Sequence, residues 1–135
     1  MKSRTLALGC AALLALPLFA EKFQLNSAGI VPAAAGMMDI NRDNNGNTRI
    51  DLKVDHLALP ASLSPSKTTY VVWAQSANAP PENLGELKVG DHLKGELKTT
   101  TAQRDFELLV TAENNPRTAT PTGPVVLRAN IRQTP

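Results

Sequence analysis

Eight residues, Thr68-Thr69-Tyr70-Val71-Val72-Trp73-Ala74-Gln75, limit the fold of this chain more than any other stretch. They hold the only Trp and the only Tyr of the chain. β-Branched and aromatic residues dominate, which suits a pleated, buried strand. Alternation puts Tyr70, Val72 and Ala74 on one face and Val71 and Trp73 on the other. A strand apolar on both faces belongs inside a sheet rather than at its edge. The stretch is therefore expected to be the spine of a β-structure, with Trp73 on the core side as its largest single piece.

The rest of the chain punctuates itself in the same way. Phe23 and Leu25 alternate and suggest a short edge strand. Residues 48–57 alternate cleanly, with Ile50, Leu52 and Val54 facing one way and Arg49, Asp51, Lys53 and Asp55 the other. Before them, Asn44-Asn45-Gly46-Asn47 is a turn signal, because Asn-Gly supplies the positive φ of a tight hairpin. This segment is expected to pair with residues 35–42. Further strands are expected over 84–89 (Leu87, Val89 inward), 93–100 (Leu93, Leu97 inward) and 104–113 (Phe106, Leu108, Val110 inward). In the last strand, Val125, Leu127, Ala129 and Ile131 are expected to face inward. Pro- and Ser-rich loops fall at 59–67, 76–82 and 114–124. Seven or eight strands with turn chemistry between them predict an all-β, antiparallel, immunoglobulin-like β-sandwich.

The start of the chain has a different character. Lys2 and Arg4 precede an almost wholly apolar run from Thr5 to Phe19, and Ala20 stands before the polar Glu21-Lys22. That order describes a secretory signal peptide over 1–20, followed by one domain over 21–135. Cleavage is expected after Ala20, although Leu18 is larger than the preferred small residue at that point. The run is about fifteen residues, short of the roughly 20 that a spanning helix needs. Membrane contact is expected only if this segment is retained as an anchor. Without Lys2 and Arg4, the 14 basic residues fall to the number of acidic ones, 12. The exported domain is then neutral and carries no electrostatic footprint for nucleic acid. Cys10, the only cysteine, leaves with the segment; Ala7-Leu8-Gly9-Cys10 only faintly resembles a lipobox. Packing alone must then hold the fold.

Few residues suggest chemistry. Asn41, Asp43 and Asn45 followed by Gly46 reproduce the first half of a calcium-loop spacing, but the twelfth position is Leu52 instead of a bidentate Glu. The simpler reading is a hairpin tip. His56, expected on the Ile50/Leu52/Val54 face, and His92, in a turn, lack metal-ligand spacing. Met37-Met38 could hold copper(I) only if folding brought a histidine to them, and core filling is the plainer role. No Gly-x-Ser-x-Gly or phosphate loop is present. Asp51, Asp55, Glu86 and Glu107 are expected on outward faces, and Glu113 at a strand end. Exposed Trp73 and Tyr70 rings would make a sugar platform, but their apolar strand favours the core for at least one of them, with Trp73 expected on the core side. No catalytic, cofactor-binding or metal residues are assigned.

From Tyr70 onward the chain resembles the extracytoplasmic C-terminal domain of bacterial anti-sigma-K factors. The resemblance is carried by Tyr70-Val71-Val72-Trp73, Leu84-Gly85-Glu86-Leu87, Phe106 through Glu113, and Pro121-Thr122-Gly123-Pro124-Val125-Val126-Leu127. It implies the fold, an extracytoplasmic address, and a sensing or partner-binding role. Sigma-factor binding is not carried over, since only four residues precede the apolar segment. The expectation is a secreted or periplasmic, non-enzymatic domain that binds an envelope protein through loops 59–67, 76–82 and 114–124. The rival is a carbohydrate- or calcium-binding module.

Overall fold

The alternating segments become eight strands in the computed structural model, which describes residues 20–133. They are β1 (Glu21–Ser27), β2 (Ala35–Arg42), β3 (Thr48–Asp55), β4 (Thr69–Gln75), β5 (Glu82–Leu87), β6 (Gly95–Thr101), β7 (Phe106–Glu113) and β8 (Val125–Ile131). The signal-peptide reading and Cys10 fall on residues 1–19, outside the described span. Among the described residues no helix is long and apolar enough to cross a membrane. The helical content of the described residues is two single 3-10 turns, Pro60–Ser62 and Asp91–Leu93.

All pairings are antiparallel, in the order β5-β4-β7-β8-β1-β2-β3-β6. The sheet is nearly closed. Its two edges, β5 and β6, face each other, and side chains bridge the gap. Thr99 Oγ1 donates to Leu84 O at 3.0 Å and Thr101 Oγ1 to Glu82 Oε1 at 2.6 Å. Closure of this kind covers strand edges that would otherwise template aggregation.

The predicted hairpin is present, with Ile40 opposite Ile50 and Arg42 opposite Thr48. At its tip the Asp43 carboxylate accepts from the Asn45 and Asn47 backbone N–H groups (2.8 and 2.9 Å), and Gly46 adopts φ +82°. These bonds, the one from Asn47 first, hold the Asp43 carboxyl below its usual range.

Several expectations need correction. β1 is interior, pairing with β2 through Glu21–Leu25 and with β8 through Asn26–Ser27, so it joins the two halves of the sheet. Two residues of phenylalanine–leucine alternation could not reveal two partners. Leu93 belongs to a turn and is exposed, and β6 begins two residues later. His56 leaves the ladder with φ +60° and is exposed. The β7–β8 register shifts between Val110 and Thr111, so that Val126 and Leu127 of β8 are both fully buried while Val125 packs on the other side of the sheet. A bulge of this type turns one side chain over.

The core fills the interior of the curved sheet. Leu52, Tyr70, Val72, Leu87, Leu108, Val110 and Leu127 are all completely buried there. The Tyr70 hydroxyl donates to Ala58 O at 2.7 Å, tying the core to the loop after β3, and burial pushes its pKa up to about 12. Trp73 is just as buried but lies on the opposite face, with Val71 and Leu109. It is core, though of a second and smaller cluster.

Candidate functional site

Successive strands alternate in direction, which sorts the connections to two ends. Loops 28–34, 56–68, 88–94 and 114–124 emerge at one, and 43–47, 76–81 and 102–105 at the other. The four-loop end is tied together by its backbone. Leu57 N–H donates to Leu93 O (3.0 Å), Thr68 N–H to Glu113 O (3.1 Å) and Ala28 N–H to Val126 O (2.9 Å).

Among the described residues four large apolar side chains are prominently exposed: Ile30 (47%), Met37 (49%), Leu59 (52%) and Leu93 (42%). Ile30, Leu59 and Leu93 lie on three different loops of the four-loop end. Met37 is on the outward side of β2, three positions from the same end. The other end presents no such residue. Single exposed apolar residues are ordinary, but a collection at one end makes that end the candidate contact surface.

Backbone strain gathers there too. The only non-glycine residues with positive φ among the described ones are His56 (60°), His92 (62°) and Leu93 (57°). A left-handed conformation costs an ordinary L-residue roughly 1–2 kcal/mol. It is held here by closure of the turn, with Gly90 N–H donating to Lys94 O at 2.8 Å, and by the Leu57–Leu93 bond. The effect is to present His92 and Leu93 outward. Strained residues of this kind concentrate at functional positions.

The charges of this end are mixed. Lys67, Lys88 and Lys94 stand there against Asp91 and Asp55, while Arg117 lies beside Asn83 and Glu86 on the outward face of β5. The opposite loops carry Asp43 and Asp105 against Arg104. Lys94 reaches Asp55 at 3.6 Å. These residues, with Lys53 and Asp91, line an open groove of about 400 Å³.

The fourth loop is locked from beneath. Glu113 is buried with no cation beside it, and its carboxylate accepts from Thr111 Oγ1 (2.6 Å), Thr122 Oγ1 (2.5 Å), Thr122 N (3.1 Å) and Gly123 N (3.1 Å). Burial by itself would raise its pKa, but these bonds prevail and hold it below the ordinary carboxylate range. Thr111 Oγ1 in turn accepts from Trp73 Nε1 at 2.9 Å. Asn83, opposite Trp73 in the ladder, donates through Nδ2 to Pro116 O and Thr118 O (3.0 Å each). Loop 114–124 thus lies over the outward face that bears Trp73. A Cβ on Gly123 would stand 1.7 Å from Ala112 O, so only glycine permits this approach.

The remaining sequence candidates do not converge. His56 and His92 sit on adjoining turns of the four-loop end, and among the described residues no three His, Cys, Asp or Glu groups come together around a metal position. Met38 is buried in the core while Met37 points outward, which separates the proposed sulfur pair. Asp43 spends its carboxylate on the hairpin turn. Trp73 and Tyr70 are both completely buried, so neither ring offers a sugar platform. In loop 56–68, Ser62 and Ser66 spend their hydroxyls on Leu59 O (2.7 Å) and Ala61 O (3.0 Å). The outward acids pair locally: Glu86 accepts from Thr69 Oγ1 at 2.5 Å, and Glu107 lies 3.5 Å from Arg128.

Sequence reasoning put Leu93 on an inward strand face, and it placed Leu59 in a surface loop without singling out either Leu59 or Ile30. The available signal was their setting, since Gly29-Ile30-Val31-Pro32 and Leu59-Pro60 place large aliphatic groups where strands cannot run. No known family model matches the chain, and no characterised protein matches it by sequence.

Proposed function

We propose that this chain is an extracytoplasmic, non-enzymatic β-domain of the bacterial cell envelope that works by binding, with the four-loop end as its contact surface. One observation carries the reading. Ile30, Leu59 and Leu93 keep 42–52% of their surface in water on three loops of one end, while the other end has no large exposed apolar group among the described residues. The sequence features described above support the address: a signal-like start and the resemblance to the outer domain of anti-sigma-K factors. An envelope protein is the partner that resemblance favours, and nucleic acid and sigma factor are outside the proposal. The finer fold reading, an immunoglobulin-like sandwich, goes with it. It is supported by a common core that takes in both Leu52 of β3 and Leu108 of β7.

The test is photocrosslinking in the source cell from a reactive residue placed at Leu59 or Leu93, with Asn45 and Ala79 at the opposite end as reference positions. A reproducible adduct from the first two alone is the expected result. Adducts of equal yield from both ends, or none from either, would sink the assignment of the surface.

A further inference from the structure

We infer that the edge over residues 129–132, at the end of β8, accepts an extended segment of a partner polypeptide, which joins the sheet as an added strand. This goes beyond the four-loop end and does not rest on it.

The edge exists because β1 changes partners. Its residues 21–25 pair with β2, and only Asn26 and Ser27 pair with β8. On β8 the ladder with β1 therefore stops at Arg128, while the ladder with β7 runs on through Ala129, Asn130 and Ile131. Two hydrogen bonds fix which way the backbone points here. Ala28 N–H donates to Val126 O on the β1 side at 2.9 Å, and Gln133 N–H donates to Asp105 Oδ1 on the β7 side at 3.1 Å. Backbone groups of successive residues alternate between the two edges of a strand. Ala129 and Ile131 accordingly point at β7, and Asn130 and Arg132 point away from it. Both of the latter are exposed, and among the described residues no backbone bond reaches either of them from β1.

What fits such an edge is another backbone. Its N–H and C=O groups recur at the strand repeat, and an extended chain matches both. Side chains narrow the choice. Ala129 and Ile131 face the core and are buried, as is Phe106 opposite Ile131. Phe23, on the inward side of the half of β1 that has left β8, is the one aromatic ring among the described residues that is not buried. An apolar side chain on the inward side of an added strand would cover it. A second copy of this chain is a poor occupant. Pairing two such edges about Asn130 would twice set Arg128 of one copy against Arg132 of the other, and like charges directly opposite destabilise a ladder. The partner is thus a different chain, apolar at alternate positions and free of proline where it pairs.

The experiment has two parts. The first is amide hydrogen exchange of the full chain alone, in which Asn130 and Arg132 should exchange at least about a hundredfold faster than Ala129 and Ile131. The second is selection from random phage-displayed peptides of about eight residues, enough for one strand, with the selected peptides then synthesised. Expected are peptides with apolar residues at alternate positions, whose binding slows exchange at Asn130 and Arg132 and leaves 56–68 unchanged. Asn130→Pro deletes the edge N–H without removing a bond to β7, and it should weaken binding about tenfold. Asn130→Ala keeps that N–H and should bind as the wild type does. Unchanged exchange of β4 and β7 checks that both variants fold. Methylating alternate backbone nitrogens of the peptide leaves the protein intact and should also abolish binding.

Slow exchange at Asn130 and Arg132 in the free chain would overturn the inference. So would failure to select a peptide that protects them, binding indifferent to Asn130→Pro and to peptide methylation, or equal weakening by Asn130→Ala. A concentration-dependent dimer that Asn130→Pro abolishes would overturn it too, by giving the edge to a second copy. The four-loop end is probed at Leu59 and Leu93 and this edge at Asn130, so either reading can fail alone.

Discussion

The two faces of β4 bury their side chains equally well by different means. Inside the sheet, Tyr70, Val72 and Ala74 join a core fed by seven strands, with Leu97 of β6 packed against it. Outside, Val71 and Trp73 have only Leu109 and Val125 for company, under the single loop 114–124. On the inner face of β4 the Tyr70 hydroxyl is the one polar side-chain group. The outer face depends on a polar chain that runs from Trp73 Nε1 through Thr111 to Glu113 and on to Thr122 and Gly123. Apolar burial is non-directional and tolerant, whereas a buried polar chain demands every partner. The largest side chain in the molecule thus depends on a roof that hydrogen bonds keep in place.

The strongest way to break this comparison is to delete one residue from each side. Leu52→Ala in the inner core is expected to cost about 2–5 kcal/mol, and Trp73→Ala about 3–5 kcal/mol, by denaturant unfolding. The tryptophan change also takes the indole donor from Thr111. If Trp73→Ala costs less than about 1 kcal/mol, the outer cluster lies outside the cooperative unit and the equivalence of the two faces fails.

A smaller and more selective effect is expected at the latch. Glu113→Gln replaces an acceptor of four hydrogen bonds by a group that must turn an amide N–H toward donors, at a cost of about 1–3 kcal/mol. Hydrogen exchange should rise in 114–124 and stay unchanged in β1 to β3, and Trp73 emission should shift to the red. The pH dependence follows from the direction of the shift. The folded pKa of Glu113 is depressed below its unfolded value, so its contribution is complete above the unfolded value and lost as pH falls through the folded one. Titrating the wild type below about pH 4 should therefore red-shift Trp73 emission. Glu113→Gln should already be shifted at neutral pH and show no such transition. An acid transition of the same midpoint in the variant would assign the latch to another carboxyl group.

The same contrast explains how much could be read beforehand. Strand-forming alternation wrote the fold openly, as in Ile50/Leu52/Val54 against Arg49/Lys53, and Asn-Gly announced the β2–β3 hairpin. What alternation does not encode is which face a doubly apolar strand gives to the interior. Trp73 accordingly reads as main core from its size, while the ladder gives that place to Tyr70. Bulges are equally silent, since nothing local marks Val125 as the residue turned outward. Glu113 has no sequence signature because its partners, Thr111, Thr122 and Gly123, matter only once the loop has folded back. The proposed contact surface was half legible: loop 59–67 belongs to it, but 76–82 emerges at the opposite end, 114–124 folds back over the face that bears Trp73, and the role of Leu93 depends on a left-handed turn.

The hairpin tip at the opposite end supplies the gentlest test. Gly46 has φ +82°, and nothing lies within 4 Å of the Cβ that alanine would add. The cost of Gly46→Ala is therefore conformational alone, about 1 kcal/mol. It should appear as a small loss of thermal stability and faster exchange at 43–47, with the Asp43 bonds to Asn45 and Asn47 loosened. Because β2 and β3 contribute only to the inner core, the acid transition of Trp73 should keep its midpoint. Should that midpoint move, strain at one end would be reaching the Glu113 latch through the sheet, and the two faces of β4 would have to be treated as one coupled layer.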